Sequence, residues 1–174
     1  VIHISLASLP GPEGEPPAEI LHSVRQALEG VYVASVEPAI QRVPLPPDSL
    51  DAARSQYCAP VILKALLAYL PAPPPFGGAG KLLAITSADL FIPMLSFVYG
   101  QAQLGGRLAV VSLARLKQEF YGLPPNPLLL SARARKEAVH EAGHLFGLIH
   151  CERADCAMRL STNVRQLDLK GDAL

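Results

Sequence analysis

The chain has 174 residues, 15 Lys and Arg against 15 Asp and Glu, zero formal net charge, and a hydrophobic half. That size and apolar fraction suit one packed domain and exclude a disordered chain. The balanced charge, with no long Lys/Arg run, argues against a nucleic-acid-binding surface, and no apolar run reaches membrane-spanning length. No secretory signal is visible at the start, and three cysteines are too few for a disulfide framework, so a reducing cytoplasm is expected.

Residues 2–7 read as an apolar strand, and a Pro/Gly turn follows. Pro16-Pro17 opens a helix with Ile20, Leu21, Val24 and Leu28 on one face, closed by Gly30. Residues 31–36 read as a second strand. Asp48 is an expected N-cap for a helix over 49–70 that Pro60 kinks, with Cys58 buried inside it. Residues 71–80 (PAPPPFGGAG) read as a loop and 81–86 as a compact strand. Residues 96–102 and 107–113 read as two strands joined through Gly105-Gly106 as a hairpin, and 116–121 as helix. Ser131 is the expected N-cap of a last helix through Phe146. The order β-α-β-α-β-β-β-α predicts an α/β domain with a mixed sheet.

Three of the five histidines fall within eleven residues, H-E-A-G-H-L-F-G-L-I-H over 140–150. On a helix, His140 and His144 stand one turn apart and leave the same face, supplying half of a tetrahedral zinc shell. Glu141 lies beside the first ligand, where it can act on water without binding the metal. Gly147 can take positive φ and turn the chain back so that His150 supplies a third ligand. Three protein ligands leave the fourth position open, the mark of a catalytic rather than a structural zinc. Five identities in fixed register arise by chance at on the order of 10⁻⁷ per start position, so the reading of these histidines as ordinary core or surface residues is set aside. His3 and His22 are given no role.

This is the metzincin signature. After His150 the chain continues C-E-R-A-D-C-A-M, placing Cys151, Cys156 and Met158 in a pattern that resembles the archaemetzincins. Residues 54–57 (RSQY), 85–91 (ITSADLF), 97–102 (FVYGQA) and 105–116 (GGRLAVVSLARL) resemble the same family, so the likeness covers nearly the whole chain. The resemblance implies an α/β (α+β) metzincin-like fold. It has a mixed twisted sheet with an antiparallel edge strand, packed by helices, within one metalloprotease domain over 1–174. An N-terminal subdomain would run to about residue 147 and a small C-terminal one over 148–174. His140, His144 and His150 match the zinc ligands, Glu141 the general base, and Met158 the Met-turn residue. Phe97, Val98, Tyr99, Gly100, Gln101 and Ala102 match the edge strand that aligns an extended substrate.

The implied function is a zinc metallopeptidase, with a zinc-binding protein of weak, latent or no peptidase activity as the alternative. Expected partners are peptides or small proteins acting as substrate, not nucleic acid or membrane, with the chain a monomer. The family carries a further Cys-x-x-Cys pair downstream of the Met. With it, Cys151 and Cys156 would complete a second, structural zinc site; the 174 residues stop short of that place. Within them, these cysteines read as half of such a site, as reduced buried thiols, or as a disulfide. Some metzincins place a Tyr shortly after the Met; here Leu160 stands there.

Overall fold

The structure, a computed structural model, describes residues 2–37, 40–70 and 80–174. Its elements are β1 (Ile2–Leu9), α1 (Ala18–Tyr32), β2 (Ala34–Val36), β3 (Gln41–Arg42), β4 (Leu50–Asp51), β5 (Gln56–Cys58), α2 (Ala59–Leu66), β6 (Lys81–Thr86), β7 (Leu90–Phe91), β8 (Gly100–Ala102), β9 (Leu108–Ser112), α3 (Pro127–Leu145) and α4 (Val164–Leu169).

The main sheet has the order β2-β1-β6-β9-β8, with β3 also paired to β1. Its strands are parallel except β8, which runs antiparallel to β9 at one edge. The expected mixed sheet with an antiparallel edge is therefore present. Successive side chains of β6 point to opposite faces. Leu83 and Ile85 join the core under α1 and α3, while Leu82 and Ala84 join the one under α2 with Ile62, Leu63 and Leu66. Helices cover both faces, which is why β6 and β9 are apolar almost throughout. Each fully buried Leu or Ile contributes about 1.5–3 kcal/mol of transfer free energy.

Several local expectations are corrected. Helix α1 passes Gly30 and ends at Val33, which takes φ 49°. Val31 and Tyr32 pack on the core, and the Tyr32 hydroxyl donates to the Val139 carbonyl of α3 at 2.5 Å. That packing outweighs the roughly 1 kcal/mol helix penalty of a glycine. Residues 49–70 are not one kinked helix: a 3-10 turn and the short strands β4 and β5 precede α2. Pro60 sits in the first turn of α2, where no backbone N–H is needed, so it starts the helix instead of bending it. Cys58 ends β5 and is half-buried.

Residues 116–121 form 3-10 turns, and α3 begins four residues before the predicted start. The Asn126 side chain accepts from the Leu129 N–H at 3.0 Å and Pro127 occupies the first turn. Ser131 instead hydrogen-bonds Ser23 of α1, at 2.9 Å. The hairpin through Gly105-Gly106 forms between β8 and β9, Gly105 with φ 65°. Within the predicted strand 96–102, the ladder holds only Gly100, Gln101 and Ala102, while Val98 bridges to Leu90. The proline-rich stretch 71–79 lies outside the described residues.

Candidate active site

Helix α3 is both a wall of the core and the floor of a cleft. Ala134, Ala138, Val139, Ala142 and Leu145 face the core, while Glu137, His140, Glu141 and His144 line a cleft of about 450 Å³. The opposite wall is the segment from Leu95 through β8, and Leu160, Ser161 and Thr162 close the rim. All six residues of the predicted substrate strand, Phe97 to Ala102, line this cleft.

The three histidines meet here as the spacing requires. Gly147 takes φ 84° just after α3 and returns the chain, and one nitrogen from each of His140, His144 and His150 lies within 4.8 Å of the others. His140 Nδ1 donates to the Ala157 carbonyl at 2.9 Å and His144 Nδ1 to the Leu148 carbonyl at 2.8 Å. These bonds select the tautomer with a bare Nε2 on each ring. The two Nε2 atoms stand 3.1 Å apart. Lone pairs so placed repel unless a cation lies between them, and two nitrogens on one tetrahedral zinc are about 3.3 Å apart. The donor set and its spacing therefore fit zinc. Burial pushes the His140 pKa down to about 3, and burial with the neighbouring His144 lowers that of His150. Both rings are thus held neutral, as a metal ligand must be.

Glu141 is buried beside this triad, and its Oε2 has no hydrogen-bond partner. Burial, and then the neighbouring Glu137 carboxyl, raise its pKa well above the ordinary carboxylate value. The backbone of β8 comes close on one flank: a Cβ on Gly100 would lie 2.6 Å from Glu141 Cγ. Gly143, inside the H-E-A-G-H run, has a similar reason. A Cβ there would lie 2.3 Å from the sulfur of Met158, which is buried beneath the helix.

Cys151 and Cys156 are free thiols, half-buried and buried respectively, so the disulfide reading is not what the structure has. Among the described residues, the histidine triad is the one group of three or more ligand-type side chains close enough to share an ion. Sequence reasoning missed Glu137 and Lys170, both buried in the cleft wall. Glu137 stands four residues before Glu141, a helical spacing that could have placed it on the same face. Nothing local distinguishes Lys170, which arrives from thirty residues away. No helix among the described residues is long and apolar enough to cross a membrane.

The sequence pattern of peptidase family M54 matches residues 76–173. The chain is 38% identical to the archaemetzincin of Methanocaldococcus jannaschii over 159 residues, covering 91% of this chain and 83% of that protein. The crystal structure of the Methanopyrus kandleri archaemetzincin superposes with a TM-score of 0.82 at 32% identity, over 99% of this chain and 88% of that one. A zinc-dependent peptidase from Methanocorpusculum labreanum gives a TM-score of 0.84 at 30% identity, over 98% and 95%.

Proposed function

Because the chain belongs to the archaemetzincins, peptidase family M54, and is a zinc metallopeptidase, we propose that His140, His144 and His150 hold its zinc and that Glu141 is its general base. The observation that carries this is the convergence of three imidazole nitrogens beside a buried carboxyl with an unpartnered oxygen. Zinc held there supplies Lewis acidity, acidifying water and polarising the scissile carbonyl. Glu141 accepts the proton of the attacking water and returns it to the leaving amine. Leu95, Phe97, Val98 and Leu160 give the cleft an apolar lining for substrate side chains.

Strand β8 ends the sheet and, among the described residues, is paired only with β9, which leaves its other edge for an extended peptide. In this reading Phe97 to Ala102 align the substrate by backbone pairing. Met158 is the Met-turn residue, packed under the helix without touching the metal. The chain divides into an N-terminal subdomain to about residue 147 and a small C-terminal one over 148–174, within one monomeric, cytoplasmic enzyme that takes peptides and not nucleic acid or membrane. Cys151 and Cys156 are ligands for a structural zinc once two further thiolates join them.

A purified Glu141→Gln variant should retain zinc by elemental analysis and lose peptide cleavage by about 10²–10⁴-fold. Wild-type activity in that variant would overturn the assignment. Cleavage by the wild type that survives removal of zinc by a chelator would overturn the metal's role.

A further inference from the structure

Outside the zinc motif, four stretches of sequence stood out: 54–57, 85–91, 97–102 and 105–116. The fold brings one residue of each into a single network behind the wall of the cleft. Arg115, in the 3-10 turn after β9, donates to both oxygens of Asp89 at 2.8 Å. Gln56 begins β5 and is 5% exposed. Its Nε2 donates to Asp89 Oδ2 at 3.0 Å and to the Ser96 carbonyl at 2.9 Å. The Arg115 guanidinium also lies over the Phe97 ring, 4.4 Å from its centre, and Tyr99 meets the same ring edge-on at 5.2 Å.

Ser96 and Phe97 line the cleft with the residues of α3. Among the described residues, however, backbone pairing of this segment with other strands begins only at Val98. What holds the Ser96 carbonyl and orients the Phe97 ring is therefore a set of side chains, not the sheet. The Asp89 and Arg115 side chains are 17% and 23% exposed, and an ion pair so far removed from water adds little net stability over apolar groups of the same volume. A bidentate guanidinium does fix geometry, and its flat face stacks on a ring.

We propose that Arg115, Asp89 and Gln56 are positioning residues acting through Phe97: they hold its ring as a fixed wall of the cleft, and that wall selects a bulky apolar side chain of the peptide. A ring locked in place gives full contact to a large apolar side chain, less to a small one, and strips water from a charged one without pairing it. The proposal rests on the reading of residues 97–102 as the segment that aligns the substrate.

The test uses internally quenched peptides varied one position at a time. The zinc-loaded wild type should prefer bulky apolar residues at one position, and Phe97→Ala should flatten that preference by about 10-fold or more. Arg115→Met and Gln56→Leu should flatten the preference at the same position by about 5- to 20-fold, through KM more than kcat, with zinc content unchanged. Arg115→Lys keeps the charge but neither the fork nor the flat face, and should fall between. The double variant Asp89→Leu/Arg115→Met leaves no charge unpaired and serves if a single change prevents folding. Lost stability alone lowers the folded fraction equally for every peptide, so it cannot move a preference. Wild-type preference in Arg115→Met or in the double variant, with Phe97→Ala altered, overturns the positioning while the substrate segment stands. Wild-type preference in Phe97→Ala overturns the wall itself, and the reading of the segment at that residue.

Discussion

Strand β6 and the segment after Leu145 both help to build the cleft, yet different forces hold them. Every residue of β6 after Lys81 is buried, between two layers of helices. After Leu145, by contrast, the buried hydrophobic side chains among the described residues are only Cys156, Ala157, Met158 and Leu167. What secures this tail is polar. Arg133 of α3 grips Asp168 with two bonds of 2.7 Å, and Lys136 donates to the Leu167 and Asp168 carbonyls. The tail also closes on itself, Ala157 N–H to the Ala173 carbonyl at 2.7 Å and Cys151 N–H to the Met158 carbonyl at 3.1 Å. The sheet supplies a rigid frame by non-directional burial. The tail supplies atoms at particular places: the His150 ring, the carbonyl for His140, the Lys170 ammonium. Directional bonds suit placement, but each one lost has no neighbour to replace it.

The sharpest way to break this contrast is Ile85→Ala. Ile85 is fully buried, and the substitution should lower global stability by about 2–5 kcal/mol in urea unfolding. Zinc stoichiometry of the folded fraction should stay unchanged. A selective loss of zinc would mean the frame and the tail are not separable.

Acid should come next, at a few kcal/mol at the bottom of its range. His140 takes its proton at about pH 3 when folded, against 6.5 for an unperturbed histidine, so the unfolded chain binds that proton first. In the metal-free protein, the stability that His140 contributes should be fully present above about pH 6.5 and be lost progressively as the pH falls toward 3. Urea midpoints of chelator-treated protein across that window check the sign. Asp168→Ala should cost about 2 kcal/mol, less than a fully buried pair because Asp168 is a third exposed. Its effect should appear as faster hydrogen exchange confined to residues after 145. Smallest of all, Val33→Gly should add about 1 kcal/mol of stability, read as a slightly higher melting temperature, since a β-branched residue at φ 49° is strained and glycine is not. As Val33 ends a helix of the frame, the tail's exchange should not change.

The same contrast explains what the sequence disclosed. Strands β1, β6 and β9, the buried face of α1 and the hairpin at Gly105-Gly106 followed from apolar patterning and turn residues, because burial writes itself periodically. The triad was legible because His140 and His144 stand one helical turn apart and a glycine at 147 returns the chain to His150. The segment 49–70 misled because Pro60 can start a helix as well as interrupt one, and only packing decides. Ser131 looked like a cap while Asn126 was the cap, since both are good ones and α3 gains a turn from the earlier start. Lys170 was invisible for a different reason. Its place in the cleft wall depends on a contact with Glu137 across thirty-three positions of chain, and a single lysine carries no period.

Helix α3 bears His140 and His144, whereas His150 rides on the tail. An ion bound by all three is therefore gripped by two parts of unequal lifetime. Opening of the tail strips one ligand and the Ala157 carbonyl from the site while the helix stays intact. The residence time of an ion held there should then follow local opening of the tail, not unfolding of the domain. Exchange with free ions can proceed in a molecule whose sheet never comes apart.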